Sequence, residues 1–284
     1  MGEIYLYGDE MKDYYGKDYT KLKNKKLWLF DMDGTIYLGN TIFDGTLDLL
    51  ESIERNGGKY IFITNNSSKG IEDYLRKVSA MGIKADRDNF YTSVDASASL
   101  LKERFGDELI YAQGTRSFVD NLKAEGLNVT EEYDANAKCV IVGFDTDLTA
   151  KKLTNTCKTL LKDIPYYATN PDWVCPTEFG YIPDCGSMCF GIEKATGKSP
   201  VFIGKPNSLM IEEVIKKFRV KKKDVVVIGD RIYTDIASGV NAGVDTVLVL
   251  SGETTVSVCN ESEIKPTFVI SGVKEINKIF GRKA

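Results

Sequence analysis

The sequence predicts an α/β protein: a Rossmann-like doubly wound parallel-sheet core that carries an inserted α/β domain. Three observations support this. Short, nearly continuous apolar runs alternate with helix-period segments, the form strands take when helices cover both sheet faces. Clusters of polar residues follow those runs directly, where open parallel sheets bind ligands. The chain has 284 residues, enough for two domains or for one core with a large insertion.

Leu27–Phe30 reads as the first strand. Residues 43–56 carry Leu47, Leu49, Leu50 and Ile53 at helical spacing, closed by Gly57-Gly58. Residues 60–63 form the second strand, and Thr64-Asn65-Asn66-Ser67-Ser68 caps a helix reaching about Met81. Further on, residues 201–203 lead into Gly204-Lys205-Pro206, residues 225–228 into Gly229-Asp230, and residues 246–250 into Ser251-Gly252. An edge strand over 267–270 and a final helix over 273–280 complete the core. Residues 109–112, 139–142 and 166–168 are strand candidates of a separate βα rhythm in the middle of the chain. The expected division is an extension of unknown role at 1–25, a core of 26–92 with 200–284, and an inserted domain at 93–199.

Composition narrows the function. Charged residues make up 27% and hydrophobic ones 43%, and the net charge of −4 leaves no broad footprint for nucleic acid or an acidic membrane. The run Arg219-Val220-Lys221-Lys222-Lys223 is short and reads as a solvated connection. No apolar stretch approaches a membrane span and the polar, Tyr-rich start has no signal-peptide core, so the expected location is the cytoplasm. Six cysteines without a CxxC pair read as reduced, mostly buried side chains; Cys185 and Cys189 would share one face of a helix. There is no histidine at all. That excludes Ser-His and Cys-His catalysis, His metal ligands and phosphohistidine. Acid–base work falls to carboxylates, lysines, tyrosines or metal-bound water.

The run Asp31-Met32-Asp33-Gly34-Thr35 places two carboxylates directly after the first strand. Ionised carboxylates there are costly unless a cation or donors compensate them. The pattern fits a hard metal ion, one Asp as nucleophile and the other as proton carrier. A plain Asx-turn uses the same residue types. The other strand ends are equally open when taken singly. Thr64 to Ser68 serve as a helix cap, Lys205 as a surface lysine, Gly229-Asp230 as a turn and Asp235 as an early-helix acid. Taken together and in order, they supply what phosphoryl transfer needs: a carboxylate nucleophile, ligands for Mg²⁺, and a cation with hydroxyl and amide donors for the equatorial oxygens.

The set Asp31-Met32-Asp33-Gly34-Thr35, Thr64, Lys205 and Gly229-Asp230 through Asp235 resembles the haloacid dehalogenase-like superfamily. The stretches Thr64-Asn65-Asn66-Ser67-Ser68, Ala168-Thr169-Asn170-Pro171-Asp172 and Gly204-Lys205-Pro206 resemble its subfamily IIA, the group of 4-nitrophenylphosphatase-like, phosphoglycolate-phosphatase-like and pyridoxal-phosphate-phosphatase-like proteins. The resemblance implies Asp31 as the nucleophile that forms an aspartyl-phosphate, and Asp33 as general acid and then base. It implies Thr64 and Lys205, with Asn65 nearby, on the phosphoryl oxygens. Mg²⁺ would be held by the Asp31 side chain, the Asp33 carbonyl and Asp230, with Asp235 behind them. The inserted domain would be a cap, its specificity loop at 170–179 offering Asn170, Asp172 and Trp173 to substrate. Trp173 and Phe179 fit either a leaving group or the core. The missing histidine argues against pyridoxal phosphate. The expected activity is a Mg²⁺-dependent phosphatase of small phosphorylated metabolites, with a homodimer through the cap and neither nucleic acid nor membrane as partner. A phosphotransferase and a non-catalytic phospholigand-binding protein on the same scaffold are the alternatives.

Overall fold

The computed structural model describes residues 11–177 and 179–281, so the first ten residues of the expected extension lie outside the described residues. Close packing divides the chain into two units, one made of Met1–Ile61 with Arg219–Ala284 and the other of Phe62–Phe218.

The first unit holds β1 (Leu27–Phe30), a short hairpin of β2 (Tyr37–Leu38) and β3 (Thr41–Ile42), helix α1 (Thr46–Arg55) and the start of β4 (Lys59–Thr64). Its later segment supplies β13 (Val225–Gly229), α8 (Ala237–Ala242), β14 (Asp245–Val249), α9 (Val256–Glu261), β15 (Phe268–Ile270) and α10 (Val273–Ile276). The strand order is β15-β14-β13-β1-β4, and β1 pairs with β13, β13 with β14 and β14 with β15 in parallel. All side chains of β1, β13 and β15 are buried, which is why these runs are apolar without alternation. Each such Leu, Val or Ile contributes about 1.5–3 kcal/mol.

Residues 11–24 resolve part of the extension's role. β15 lies at a sheet edge, where unpaired backbone groups invite association. Here the Tyr14 N–H donates to Val269 O at 2.7 Å, and the Val269 N–H donates to Asp13 Oδ2 at 3.1 Å. Tyr19 is buried and its hydroxyl donates to Glu275 O at 3.0 Å. Lys25, also buried, meets Asp245 Oδ2 at 2.6 Å, and Lys21 meets Oδ1 at 2.9 Å. The segment closes the edge of the sheet.

In the second unit the end of β4 pairs in parallel with β5 (Phe90–Thr92), and α2 (Ile71–Ala80) connects them. Helix α3 (Ser93–Phe105) starts on a capping box in which Thr92 Oγ1 accepts from the Asp95 N–H and Asp95 accepts from the Thr92 N–H. A separate parallel sheet comprises β6 (Ile110–Gln113), β7 (Val129–Thr130), β8 (Cys139–Val142), β9 (Tyr166–Ala168) and β12 (Val201–Phe202), in the order β12-β9-β8-β6-β7. Helices α4 (Arg116–Ala124), α5 (Ala150–Leu160), α6 (Cys185–Thr196) and α7 (Leu209–Phe218) complete the unit, with an antiparallel hairpin of β10 (Val174–Thr177) and β11 (Gly180–Pro183).

Two readings need correction. The run at 201–203 is not a core strand: Val201 and Phe202 pair with Tyr167 and Ala168 at the edge of the second sheet. The stretch read as a loop over 170–179 contains β10, and its residue 178 lies outside the described residues. The cysteines are free, and α6 brings the Cys185 and Cys189 sulfurs to 3.9 Å inside a buried cluster. Among the described residues no helix is long and apolar enough to cross a membrane.

Burial pushes the Asp245 carboxyl up, but the hydrogen bonds from Lys25 and Lys21 outweigh it and hold the group below its ordinary value of 3.8. A depressed folded-state value stabilises the protein above about pH 4, and that contribution is lost as pH falls. Asp245→Asn should therefore cost about 1–3 kcal/mol in urea denaturation at pH 7, with the gap to wild type closing toward pH 3. A pH-independent gap would contradict this account.

Candidate active site

In the first unit the ladder between β1 and β13 continues one residue past β1, where the Asp31 N–H donates to Ile228 O at 2.9 Å. This places Asp31 beside the exit of β13, and β13 ends on Gly229 before Asp230. One carboxylate oxygen each from Asp31, Asp230 and Asp235 lies within 4.8 Å of the others. Asp230 and Asp235 are buried, Asp31 is half-buried and Asp33 is exposed on the turn that follows.

The surroundings of Asp230 are built for a charged carboxylate. The Glu253 N–H donates to Oδ2 at 2.7 Å and the Thr35 hydroxyl to Oδ1 at 3.5 Å. Gly34 sits at φ +85°, and a Cβ there would come within 2.5 Å of Asp230 Oδ2. Asp235 is presented by a π-helical turn, Ile232–Ile236, and its Oδ2 accepts from the Arg231 N–H at 3.1 Å. Burial and the like charge of Asp235 still push the Asp230 carboxyl up to about 6. Three converging carboxylates form an all-oxygen donor set of the kind hard divalent cations take, and a cation is what relieves their mutual repulsion. The donor chemistry fits Mg²⁺.

The second unit gathers the other expected residues. Thr64 ends β4 and its hydroxyl accepts from the Asn66 N–H at 3.2 Å. The Asn65 amide donates to Asp172 Oδ2 and to Lys205 O, both at 2.9 Å, while its Oδ1 accepts from the Lys205 N–H at 2.8 Å. Lys205 is buried, and its ammonium reaches Ile63 O at 3.3 Å. Asn170 is fully buried; its amide donates to Asp172 Oδ2 at 2.9 Å and to Asp184 Oδ1 at 3.1 Å. Both amide hydrogens of Asn65 and of Asn170 are therefore used within the protein. Trp173 is 59% exposed and Phe179 83%, so neither is a core aromatic; the Trp173 ring meets Phe190 edge-on at 5.5 Å.

Sequence reasoning assigned no role to Ser251–Thr254; it placed Ser67 in a helix cap, and Ser67 and Thr169 in stretches that resemble subfamily IIA, without pairing the two. The Ser67 hydroxyl lies 2.9 Å from that of Thr169 and accepts from the Phe144 N–H at 2.8 Å, in the buried interior. The signal for the first was present, since Ser251-Gly252 follows an apolar run like the other functional ends. For the pair, both residues lie in stretches singled out by resemblance, but nothing local in either shows that their hydroxyls meet across 102 positions.

Comparison with known proteins fits this geometry. Residues 28–128 match the family model described as haloacid dehalogenase-like hydrolase, and residues 202–276 match a second, HAD-hydrolase-like model. An acid sugar phosphatase of Staphylococcus haemolyticus is 33% identical over 247 residues, spanning 87% of this chain and 93% of that protein. A 5'-nucleotidase of Bacillus subtilis is 31% identical, spanning 89% and 98%. Among solved structures, the 4-nitrophenylphosphatase of Thermotoga maritima superposes with a TM-score of 0.86 at 39% identity, covering 91% of this chain and 98% of that one. With two family models matched in order and relatives alike over nearly their whole length, this chain belongs to the haloacid dehalogenase-like hydrolases, in subfamily IIA.

Proposed function

We propose that the protein hydrolyses phosphomonoesters of small soluble metabolites, with Mg²⁺ at the Asp31 end of the site. The observation that carries this reading is the convergence of Asp31, Asp230 and Asp235 at two adjacent strand ends. The Asp31 and Asp230 side chains and the Asp33 carbonyl would hold the ion, with Asp235 behind them. Bound there, Mg²⁺ neutralises charge on the phosphoryl group.

Asp31 attacks phosphorus, forming a P–O bond as the ester P–O bond breaks, and Asp33 gives its proton to the departing alkoxide. Asp33 then takes a proton from water, which attacks the aspartyl-phosphate and frees inorganic phosphate and Asp31. With no histidine in the chain, a carboxylate is the natural carrier for that proton. Thr64 and Lys205 hold the phosphoryl oxygens. Asn65 and Asn170 act by orienting Lys205 and Asp172, and Asp172 is left to accept from a substrate hydroxyl. Residues 93–199 act as the cap, excluding water during the first transfer. Exposed Trp173 and Phe179 offer apolar contact to a leaving group, and a homodimer forms through the cap. Sugar phosphates and nucleoside monophosphates, the substrates named for the relatives, head the list. Six free cysteines fit a cytoplasmic location.

Purified protein should release phosphate from 4-nitrophenyl phosphate and from a panel of sugar phosphates and nucleotides, and EDTA should stop it. Asp31→Asn should lower kcat at least about a thousandfold. Turnover by that variant at the wild-type rate would end this reading.

A second test bears on the metal alone. A Cβ at Gly252 would come within 2.0 Å of Asp230 Oδ2, so Gly252→Ala must displace that carboxylate. The half-saturating Mg²⁺ concentration should rise at least about tenfold, as for disturbed ligand support elsewhere. A magnesium titration that matches wild type would exclude Asp230 from the site.

A further inference from the structure

We infer that Ser251 is a positioning residue for the metal site, and that the loop 251–254 sets the site's geometry. This rests on the phosphatase reading above. β14 ends at Val249, and the chain then passes along both ligand-bearing segments of the first unit. The Ser251 hydroxyl donates to Gly34 O at 2.8 Å, while the Gly34 N–H donates to Tyr37 O at 2.7 Å. The turn after Asp33 is thus held at both polar groups of Gly34, which fixes the peptide that carries the Asp33 carbonyl.

The next residues reach the other ligand. The Glu253 N–H donates to Asp230 Oδ2 at 2.7 Å, and the Thr254 N–H donates to Asp230 O at 3.2 Å. Thr254 Oγ1 accepts from the Ile232 N–H at 3.1 Å, which anchors the start of the π-helical turn bearing Asp235. Gly252 lies between these contacts, and only the absence of a side chain lets the loop pass so close to Asp230. One short loop therefore braces the turn that carries Asp33 and the carboxylate of Asp230, which are separated by 197 positions in sequence (230 − 33). Backbone donors make two of these contacts and Thr254 Oγ1 a third, while the Ser251 hydroxyl is the loop's side-chain contact to the Asp33 turn and can be removed by substitution. Ser251 is half-buried and its side chain is small, so Ser251→Ala leaves the fold intact.

Mn²⁺ is the probe, because electron paramagnetic resonance counts its binding without turnover. Ser251→Ala should weaken Mn²⁺ binding about tenfold, and should raise half-saturating Mg²⁺ for hydrolysis by a similar factor. KM for 4-nitrophenyl phosphate at saturating Mg²⁺, and the thermal midpoint of the metal-free protein, should not move. Ser251→Thr keeps the hydroxyl and should return binding to within about twofold of wild type. If Ser251→Ala binds Mn²⁺ as tightly as wild type, the positioning role is wrong while the phosphatase reading stands. If wild type itself binds no Mn²⁺, both fall.

Discussion

Two buried carboxylates, Asp230 and Asp235, set the terms for the rest of the first unit. Each is almost fully removed from solvent, and Asp31 brings a third within 4.8 Å. Burial, and then the like charge of Asp235, push the Asp230 carboxyl up. Apolar side chains at these positions would stabilise the fold better. The surrounding design reduces a cost that packing alone cannot remove: backbone N–H groups from 253 and 231 point at the carboxylates, and Gly34, Gly229 and Gly252 let main chain approach them. A divalent cation would supply the positive charge that three converging carboxylates can take.

The parallel sheet is what makes this arrangement affordable. Strands buried on both faces hold their ends rigidly, so side chains at the exits of β1 and β13 keep their spacing without support from solvent. The same rigidity explains the strap at 11–24. An open edge at β15 would weaken the strand neighbouring β14, whose exit supplies the bracing loop, and the strap closes that edge with backbone and side-chain bonds. Stability at the edge and geometry at the site are linked through a single layer of strands.

Much of this was legible in the sequence because the signal is local. Leu27–Phe30, Cys139–Val142 and Tyr166–Ala168 are strands with the boundaries that their apolar runs predict, and polar residues at strand ends announced the site. What was not legible depends on partners distant in sequence. Val201 and Phe202 form an unremarkable apolar pair, and only pairing with β9 assigns them to the second sheet. Strand β5, with three residues, and the hairpin β10–β11 are too short to stand out from their surroundings. The need for glycine at 34 is a property of Asp230, and the need for glycine at 204 is a property of Asn65. Neither can be read at the glycine itself.

Asn65 illustrates how a residue type can suggest one job while its hydrogen bonds in the fold serve another. An amide at a strand end reads as a donor for phosphate oxygens. In the fold its oxygen takes the Lys205 N–H, and its two hydrogens go to Lys205 O and to Asp172. This double clasp fixes the backbone of Lys205 across 140 positions of sequence. It also demands an amide: a carboxylate at 65 would keep the acceptor but face Asp172 with a second negative charge and no hydrogen to share. A methyl in place of the Gly204 hydrogen would meet Asn65 Oδ1 at 2.5 Å and break the clasp from the other side. Asn65, Gly204 and Asp172 therefore form one device for fixing the backbone of a buried lysine.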